Sequence, residues 1–425
     1  MTTGNARPLH VLEVETFGRG GLVHYAYNLS RALVDRGHRV TLLTTCDYEL
    51  EGLASTPQAR DPQARDPEAR DPEGRFEVVK AFARWTGAAT RVPRFLLPVA
   101  RKVQALFDGV VLLRTVWRCR ADVVHVHCTN PVLLVYLLLL RLLGGRPVVA
   151  TAHVVTPHEP IPLQRILYRW VHRLPRLVVA HSQVDARRLH DDFGVPSERL
   201  TVIPHGEYGF FEQGGQPVHR EAARRDLGIE DDDEVALFFG YVREYKGLDL
   251  LLDAWPGVRE RRPRARLVIA GDPVRLDDAR RRQLEEQARS VGAQCHFGYL
   301  PFSEVPRFFG AADVLVMPYR SISQSGVLFL ALSLRLPVVA TRVGALPEML
   351  VEGESAAFVP PEDVPALEET LATVLGDAEL RARLAAGGAA VAEAHSWSTI
   401  AQDVELAFVE LAHGSPVQPR GGGDA

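Results

Sequence analysis

The sequence is short of sulfur, of charge imbalance and of long apolar runs, and each shortage removes a class of protein. Its four cysteines, Cys46, Cys119, Cys128 and Cys295, are scattered and form no C-x-x-C pair. That argues against a disulfide framework or a thiolate zinc site and fits a reducing compartment. A net charge of −4 over 425 residues gives no footprint for nucleic acid as the main partner. No apolar h-region precedes the strand-like segment Leu9–Val14, so no secretory signal is expected. The longest apolar run, Val132 to Leu140, stops at Arg141. It is too short to cross a bilayer and reads as a buried or interfacial helix. A cytoplasmic protein is expected.

What is present is ordinary globular material, 46% apolar and 24% charged, in a chain long enough for two cores. Strand-like runs at Leu9–Val14, Val40–Thr45, Phe76–Ala81, Asp122–His127, Val148–Ala152, Leu177–Ala180 and Leu200–Ile203 alternate with helical patterns such as Val23–Arg36, Val132–Leu143 and Gln183–Asp192. The stretch from His205 to Pro217 is glycine-rich and reads as a linker. A second series follows, with strands at Val235–Phe239, Leu267–Ala270, Gln294–Phe297, Val314–Met317 and Val338–Ala340, and helices including Leu248–Trp255 and Asp277–Ser290. Alternation of this kind predicts an α/β fold of two Rossmann-like doubly wound domains facing a cleft, with ligand at the carboxyl ends of parallel strands.

The expected organisation is an N-terminal domain over 1–205, a C-terminal domain over 206–380 and helices over 381–413 that pack back toward the first domain. Within 52–75 a pentapeptide [QE]-A-R-D-P repeats; a proline every five residues blocks a helix, so this is read as a disordered insertion. The tail, 414–425, is read as disordered.

Three places carry chemistry. After the strand ending at Gly240 come Arg243 and Lys246, then Gly247 and a helix; a planar fork and a compact ammonium at a strand's carboxyl end are placed to meet a diphosphate. Beyond Val314–Met317 a polar turn leads through Ser323, Gln324, Ser325, Gly326 and Val327 into a helix whose free N–H groups form a phosphate cradle. At the N-terminus, Gly18-Arg19-Gly20-Gly21 follows the first strand, with Val23 where a G-x-G-x-x-G fingerprint needs its third glycine. Nicotinamide binding therefore loses its support, although the backbone at Gly20 and Gly21 still allows close approach to a ligand.

His125 and His127 share one face of a strand, and His153 ends the next. With no carboxylate or thiolate in view to complete a zinc site, they read as hydrogen-bonding or buried structural groups, and no metal is expected. Glu15 and Glu159 are candidate cleft carboxylates. Between Arg91 and Arg118, basic residues interleave with apolar ones, compatible with a surface that meets anionic lipid.

Taken together, these blocks resemble glycosyltransferase family 4, the retaining GT-B enzymes. The carriers are Gly18–Gly21, DVVHVH at Asp122–His127, TAH at Thr151–His153, VIPHG at Val202–Gly206, FFGYVREYKG at Phe238–Gly247, LVIAGD at Leu267–Asp272 and SQSGVLFLALSLRLPVVAT at Ser323–Thr341. The resemblance implies a nucleoside-diphosphate sugar, UDP- or GDP-linked, bound by the C-terminal domain, and an acceptor glycan or lipid-linked sugar bound by the N-terminal one. No further cofactor is implied. Arg243 and Lys246 match the basic pair on the diphosphate, Ser325 and Gly326 its helix-start contacts, and His153 a histidine beside the transferred sugar. Tyr299 and Leu300 match the segment bordering the base.

Two departures stand out. Most members carry two glutamates eight positions apart around this helix; here Ser323 and Ala331 stand instead, as in the family's QSGVL branch. His205 replaces the asparagine of the family's IPNG. Two other readings stay open at this point: another GT-B enzyme such as a sugar-nucleotide epimerase, and a non-catalytic partner or sugar-binding subunit.

Overall fold

The computed structural model describes residues 7–50, 74–82, 97–128, 133–155, 164–208, 219–274 and 276–413. The repeat insertion over 52–73, Arg91, Arg94, Glu159 and the tail lie outside the described residues. The chain forms two compact units, one comprising residues 1–206 with 397–425 and the other residues 207–396.

Seven parallel strands build the sheet of the first unit: β1 (His10–Val14), β2 (Arg39–Thr45), β3 (Phe76–Phe82), β4 (Val123–Cys128), β5 (Val148–Ala152), β6 (Leu177–Ala180) and β7 (Leu200–Val202). Their order is β3-β2-β1-β4-β5-β6-β7, so the winding direction reverses between β1 and β4. Helices α1 (Gly21–Asp35), α2 (Leu97–Cys119), α3 (Leu133–Leu139), α4 (Gln164–Arg173) and α5 (Gln183–Asp191) are the crossovers. The central strands are mostly β-branched and aliphatic because both sheet faces are covered there, whereas the edge strand β3 exposes Glu77 and Lys80. Polar side chains inside such strands must therefore find partners.

The second unit holds β8 (Glu234–Phe239), β9 (Ala265–Gly271), β10 (Gln294–Phe297), β11 (Val314–Met317), β12 (Val338–Thr341) and β13 (Ala357–Val359), in the order β10-β9-β8-β11-β12-β13 and again all parallel. Around it run α6 (Arg220–Leu227), α7 (Leu248–Arg261), α8 (Asp278–Ser290), α9 (Val305–Ala311), α10 (Gly326–Ser333), α11 (Leu346–Met349), α12 (Val364–Gly376) and α13 (Ala378–Ala394). The last helix, α14 (Trp397–Ala412), belongs to the first unit. The reversal here lies between β8 and β11. This is the GT-B fold class, two Rossmann-like α/β units.

Three local features differ from expectation. The strand β13 is only three residues long at a sheet edge, too short to show periodicity. Helix α7 runs through Pro256 to Arg261, where the sequence suggests a stop at Trp255. Trp255 and Val258 are fully buried on either side of the proline, and that burial offsets the lost hydrogen bond. The Ala-rich series after Leu380 is two helices. One, α13, packs on α10 in the second unit, and the other, α14, packs on α1 in the first. Ile400, Val404, Phe408 and Leu411 enter the core formed by Leu29, Leu33 and Val11, and Glu405 pairs with Arg36 and, at 3.1 Å, with His38.

Candidate functional site

In the second unit, two loops leave the switch point side by side. β8 ends at Phe239, and the chain turns at Gly240 with φ +92°. A Cβ there would stand 2.8 Å from Lys246 Nζ and 3.2 Å from Val327 Cγ2. Glycine thus lets the lysine, the strand end and the first turn of α10 converge. Gly247, at φ +65°, closes the turn with its Cβ position 2.0 Å from the carbonyl oxygen of Pro318, leaving no room for any side chain.

Lys246 donates to the carbonyl of Phe239 at 3.2 Å, and its ammonium lies 5.3 Å from the centre of the Tyr319 ring. It is 6% exposed. Burial, reinforced by the charge of Arg243, pushes its ammonium down to about 7. Arg243 is half-buried; its Nε is enclosed without a hydrogen-bond partner, and its guanidinium lies 5.9 Å from the Tyr241 ring.

Among the described residues neither cation forms an ion pair, because the nearby acids are engaged elsewhere. Glu244 pairs with Arg280, Asp249 with Arg280 and Arg320, and Glu362 with Arg320. Two uncompensated cations, one buried and one half-buried, are costly to a folded chain, and they give this end of the sheet a positive potential.

Helix α10 faces the same place. Ser325 is its N-cap, accepting from the Leu328 N–H at 3.3 Å, and no acid occupies the first turn, so the positive end of the dipole is unscreened. Ser323 and Ser325 are buried, while Gln324 and Val327 are partly exposed. The Cβ position of Gly326 lies 2.6 Å from the Tyr208 hydroxyl. Tyr299, 46% exposed, and Leu300, packed partly on the core, follow β10. That strand is two places from β8 in the sheet, a separation of about 10 Å.

In the first unit, the carboxyl ends of β1, β4, β5 and β6 gather a buried cluster. Glu13, unexpected from the sequence, sits at 0% exposure. His125 Nδ1 lies 2.8 Å and His127 Nε2 2.9 Å from its Oε2. His127 Nδ1 then meets His153 Nε2 at 3.1 Å, and His153 Nδ1 meets His181 Nε2 at 3.2 Å. The series ends where His181 Nδ1 meets the carbonyl of Ile203 at 2.9 Å.

Burial by itself raises a carboxyl, but the charge and hydrogen bonds of His125 and His127 hold Glu13 down at about 2. Burial, reinforced by neighbouring rings, pushes His153 well down and His181 to about 3. The carboxylate that the sequence did not reveal is thus present beside the histidines. Its separations from the two ring nitrogens are those of shared protons, whereas ligands around tetrahedral zinc stand roughly 3.3 Å apart.

The sequence-predicted residues separate as follows. Arg243, Lys246, Gly240, Ser323, Gln324, Ser325, Gly326 and Val327 come together; Tyr299 and Leu300 lie along the same carboxyl edge. His153, Gly20 and Gly21 belong to the first unit. Gly20 is the N-cap of α1, its N–H bonded to Glu49 at 2.5 Å. His153 is partly exposed, yet both its ring nitrogens are engaged inside the cluster. Glu15, the candidate cleft carboxylate, is buried and accepts from the N–H groups of Phe17 at 2.5 Å and Gly18 at 2.7 Å and from Thr44 at 2.9 Å. It holds the glycine loop. Tyr319 was missed, since an aromatic after an apolar strand reads as core.

The family model described as "Glycosyltransferase Family 4" matches residues 19–206, and that described as "Glycosyl transferases group 1" matches residues 219–391. The chain belongs to glycosyltransferase family 4. A D-inositol 3-phosphate glycosyltransferase of Segniliparus rotundus is 28% identical over 65% of this chain and 63% of its own length. One from Geodermatophilus obscurus is 31% identical over 63% of this chain and 62% of its own. The chain therefore spans about three fifths of the length of these curated relatives. Among solved structures, Anabaena HepE in complex with UDP and glucose superposes with a TM-score of 0.71 at 19% identity, covering 93% of this chain and 98% of that one. Sucrose-phosphate synthase from Thermosynechococcus elongatus gives 0.70 at 20% identity, covering 96% and 100%.

Proposed function

We propose that this chain is a retaining glycosyltransferase that moves a sugar from a nucleoside-diphosphate sugar to an acceptor hydroxyl, in the assembly of a glycan, glycolipid or polysaccharide. The observation that carries the reading is the uncompensated pair Arg243 and Lys246 beside the α10 N-terminus. When the bond from sugar to diphosphate breaks, negative charge grows on the departing phosphate. Preorganised donors aimed at that charge are each worth about 10²–10³ in rate. The two cations supply the neutralisation that a divalent ion brings elsewhere. The roughly 10 Å between β8 and β10 is compatible with the reach from diphosphate to base, which supports assigning Tyr299 and Leu300 to the nucleobase. UDP is the first donor base to test, because HepE was crystallised with UDP and UDP-glucose. The acceptor is assigned to the first unit, beside His153 and the Gly20–Gly21 backbone.

A thermal-shift panel of UDP, GDP and their sugar conjugates on wild type and Lys246→Ala tests this. A ligand at a hundredfold excess over Kd stabilises the folded state by about 2.7 kcal/mol. One nucleotide raising the wild-type Tm, with the shift lost in Lys246→Ala, is the expected result; no shift with any nucleotide would sink the reading.

The first unit also supports a peripheral contact with anionic membrane. Helix α2 is apolar on two sides: Leu112, Leu113 and Val116 are buried, while Val99, Val103, Leu106, Val110 and Trp117 are exposed. Leu142 and Leu143, the latter's carbonyl accepting from Trp117, and Ile166 and Trp170 of α4 are exposed as well. Arg114, Arg118, Arg165 and Arg169 are exposed among them. Apolar anchors ringed by arginine suit a lipid surface bearing a lipid-linked acceptor. No helix among the described residues is long and apolar enough to span the bilayer.

A further inference from the structure

The buried histidines of the first unit obey a proton count that follows from their hydrogen bonds alone. The carbonyl of Ile203 can only accept, so His181 carries a proton on Nδ1. If every ring is neutral, His181 Nε2 accepts from His153 Nδ1, and His153 Nε2 accepts from His127 Nδ1. His127 Nε2 is then a bare lone pair facing the Glu13 carboxylate 2.9 Å away. Two acceptors do not hold that distance in an interior where an unmade bond is expensive. His125 does not relieve the conflict, because its Nδ1 donates to Glu13 and its Nε2 meets the Thr151 hydroxyl at 2.7 Å.

One proton beyond neutral rings and an ionised carboxylate resolves every contact. Placed on His127, it makes an imidazolium that donates to both Glu13 and His153. Burial disfavours charge on all three rings, but at His127 the bonded Glu13 carboxylate opposes it, so the proton rests there; moved one step to His153, or two steps to His181, it leaves all bonds satisfied with donor and acceptor exchanged at each junction. We propose that Glu13, His127, His153 and His181 form a buried relay holding a single mobile proton, with Glu13 as its counter-charge and as the positioning residue that fixes the protonation pattern of His153. His153 is the partly exposed ring of the three; His127 and His181 are buried. The relay therefore joins a carboxylate sealed under the sheet to a ring at the carboxyl end of β5.

The surroundings are consistent with one charge and no more. From α1, Tyr25 presents its ring to His127, His153, His181 and His205 at 5.4, 4.7, 5.3 and 5.0 Å, and burial pushes its phenol far up, so it stays neutral. His205 donates its own Nδ1 proton to the carbonyl of Gly206 at 2.7 Å. Trp397 of α14 packs on Tyr25 and His205, and Phe408 on His125. Among the described residues, Glu13 is the one acid bonded to a ring of the relay. The proposal does not depend on the transfer reaction.

Selective ¹⁵N-histidine labelling tests it at pH 8.5, where solvent-exposed imidazoles are neutral. In wild type, one ring protonated on both nitrogens is expected, with nitrogen–nitrogen coupling across the His127–His153 hydrogen bond. In Glu13→Gln, the new amide donates to His127 Nε2 and its oxygen accepts from His125, so the network closes without the extra proton and that signal disappears. Contacts such as His24 with Glu49 and His38 with Glu405 pair an imidazole with a carboxylate rather than with a second ring, so the nitrogen–nitrogen coupling separates them from the relay. Should Glu13→Gln not fold, the wild-type spectrum alone decides. The absence of any doubly protonated, coupled ring at pH 8.5 overturns the relay, as does a signal that persists unchanged in Glu13→Gln. Stoichiometric zinc in the purified protein overturns it equally.

Discussion

At the scale of single residues, Lys246 is where cost and use meet. Its ammonium is held near 7 by burial and by Arg243, while in the unfolded chain it titrates at about 10.4. The unfolded state therefore binds more protons across that interval, and the ligand-free protein gains stability as pH rises through it. A bound diphosphate reverses the shift, because an opposite charge favours the ammonium. UDP binding above neutrality must then take up close to one proton, and affinity should fall by roughly tenfold per pH unit between about 7.5 and 9. Calorimetry in two buffers of different ionisation enthalpy measures that uptake directly. Lys246→Arg, permanently charged, should bind more weakly at pH 7 and show no proton uptake; equal uptake in both proteins would refute the role given to Lys246. Much of this was legible in the sequence, since two cations after a strand end are visible as text. What was not legible was their isolation. Glu244 stands between them in sequence, yet its carboxylate turns to Arg280, and only the fold reveals where a side chain is committed. Glu13 was hidden for a related reason. An acid inside an apolar strand reads as an exposed position until the neighbouring strand places His125 in register with it.

At the scale of elements, the alternation of β-branched runs with amphipathic stretches located twelve of the thirteen strands among the described residues, because most of them are buried on both faces and only edge strands such as β3 carry a polar side. Boundaries set by packing were harder: Pro256 lies inside α7 because Trp255 and Val258 anchor both halves. Helix α2 is the instructive case. A helix with one apolar face needs a core, and one with two needs a core and something else. Exposed Val103, Leu106 and Val110 have no counterpart in a helix that meets only water. Each buried valine or leucine side chain contributes about 1.5–3 kcal/mol, so replacing Val103 and Leu106 together by serine should cut vesicle binding by at least an order of magnitude. Thermal stability should change little, since both side chains are already exposed. Co-sedimentation with vesicles containing anionic lipid, against neutral ones, reads this out. Equal weak binding to both, or a double variant that binds like wild type, would remove the membrane contact from the functional reading.

At the scale of the whole molecule, the two units share a topology but differ in how they respond to acid. The first buries His172, pushed down to about 4 chiefly by burial, and His181, at about 3, with His153 also well below its usual value. In the unfolded chain these rings titrate near 6.5. As pH falls below that point the unfolded state takes up protons that the folded state refuses, so stability present above about pH 6.5 is lost between there and about pH 3–4. Each such ring contributes a slope of about 1.4 kcal/mol per pH unit. In the second unit, among the described residues, burial lowers His296 and His395, two histidines that lie outside the strands β8 and β11. The chain should accordingly not unfold as one body in acid. Hydrogen exchange at pH 7.5 and pH 5, corrected for intrinsic rates, is expected to show β4, β5 and β6 losing protection by several orders of magnitude while β8 and β11 lose little. Uniform loss across both units would mean that they unfold together, and that the histidines under the first sheet do not set the acid limit.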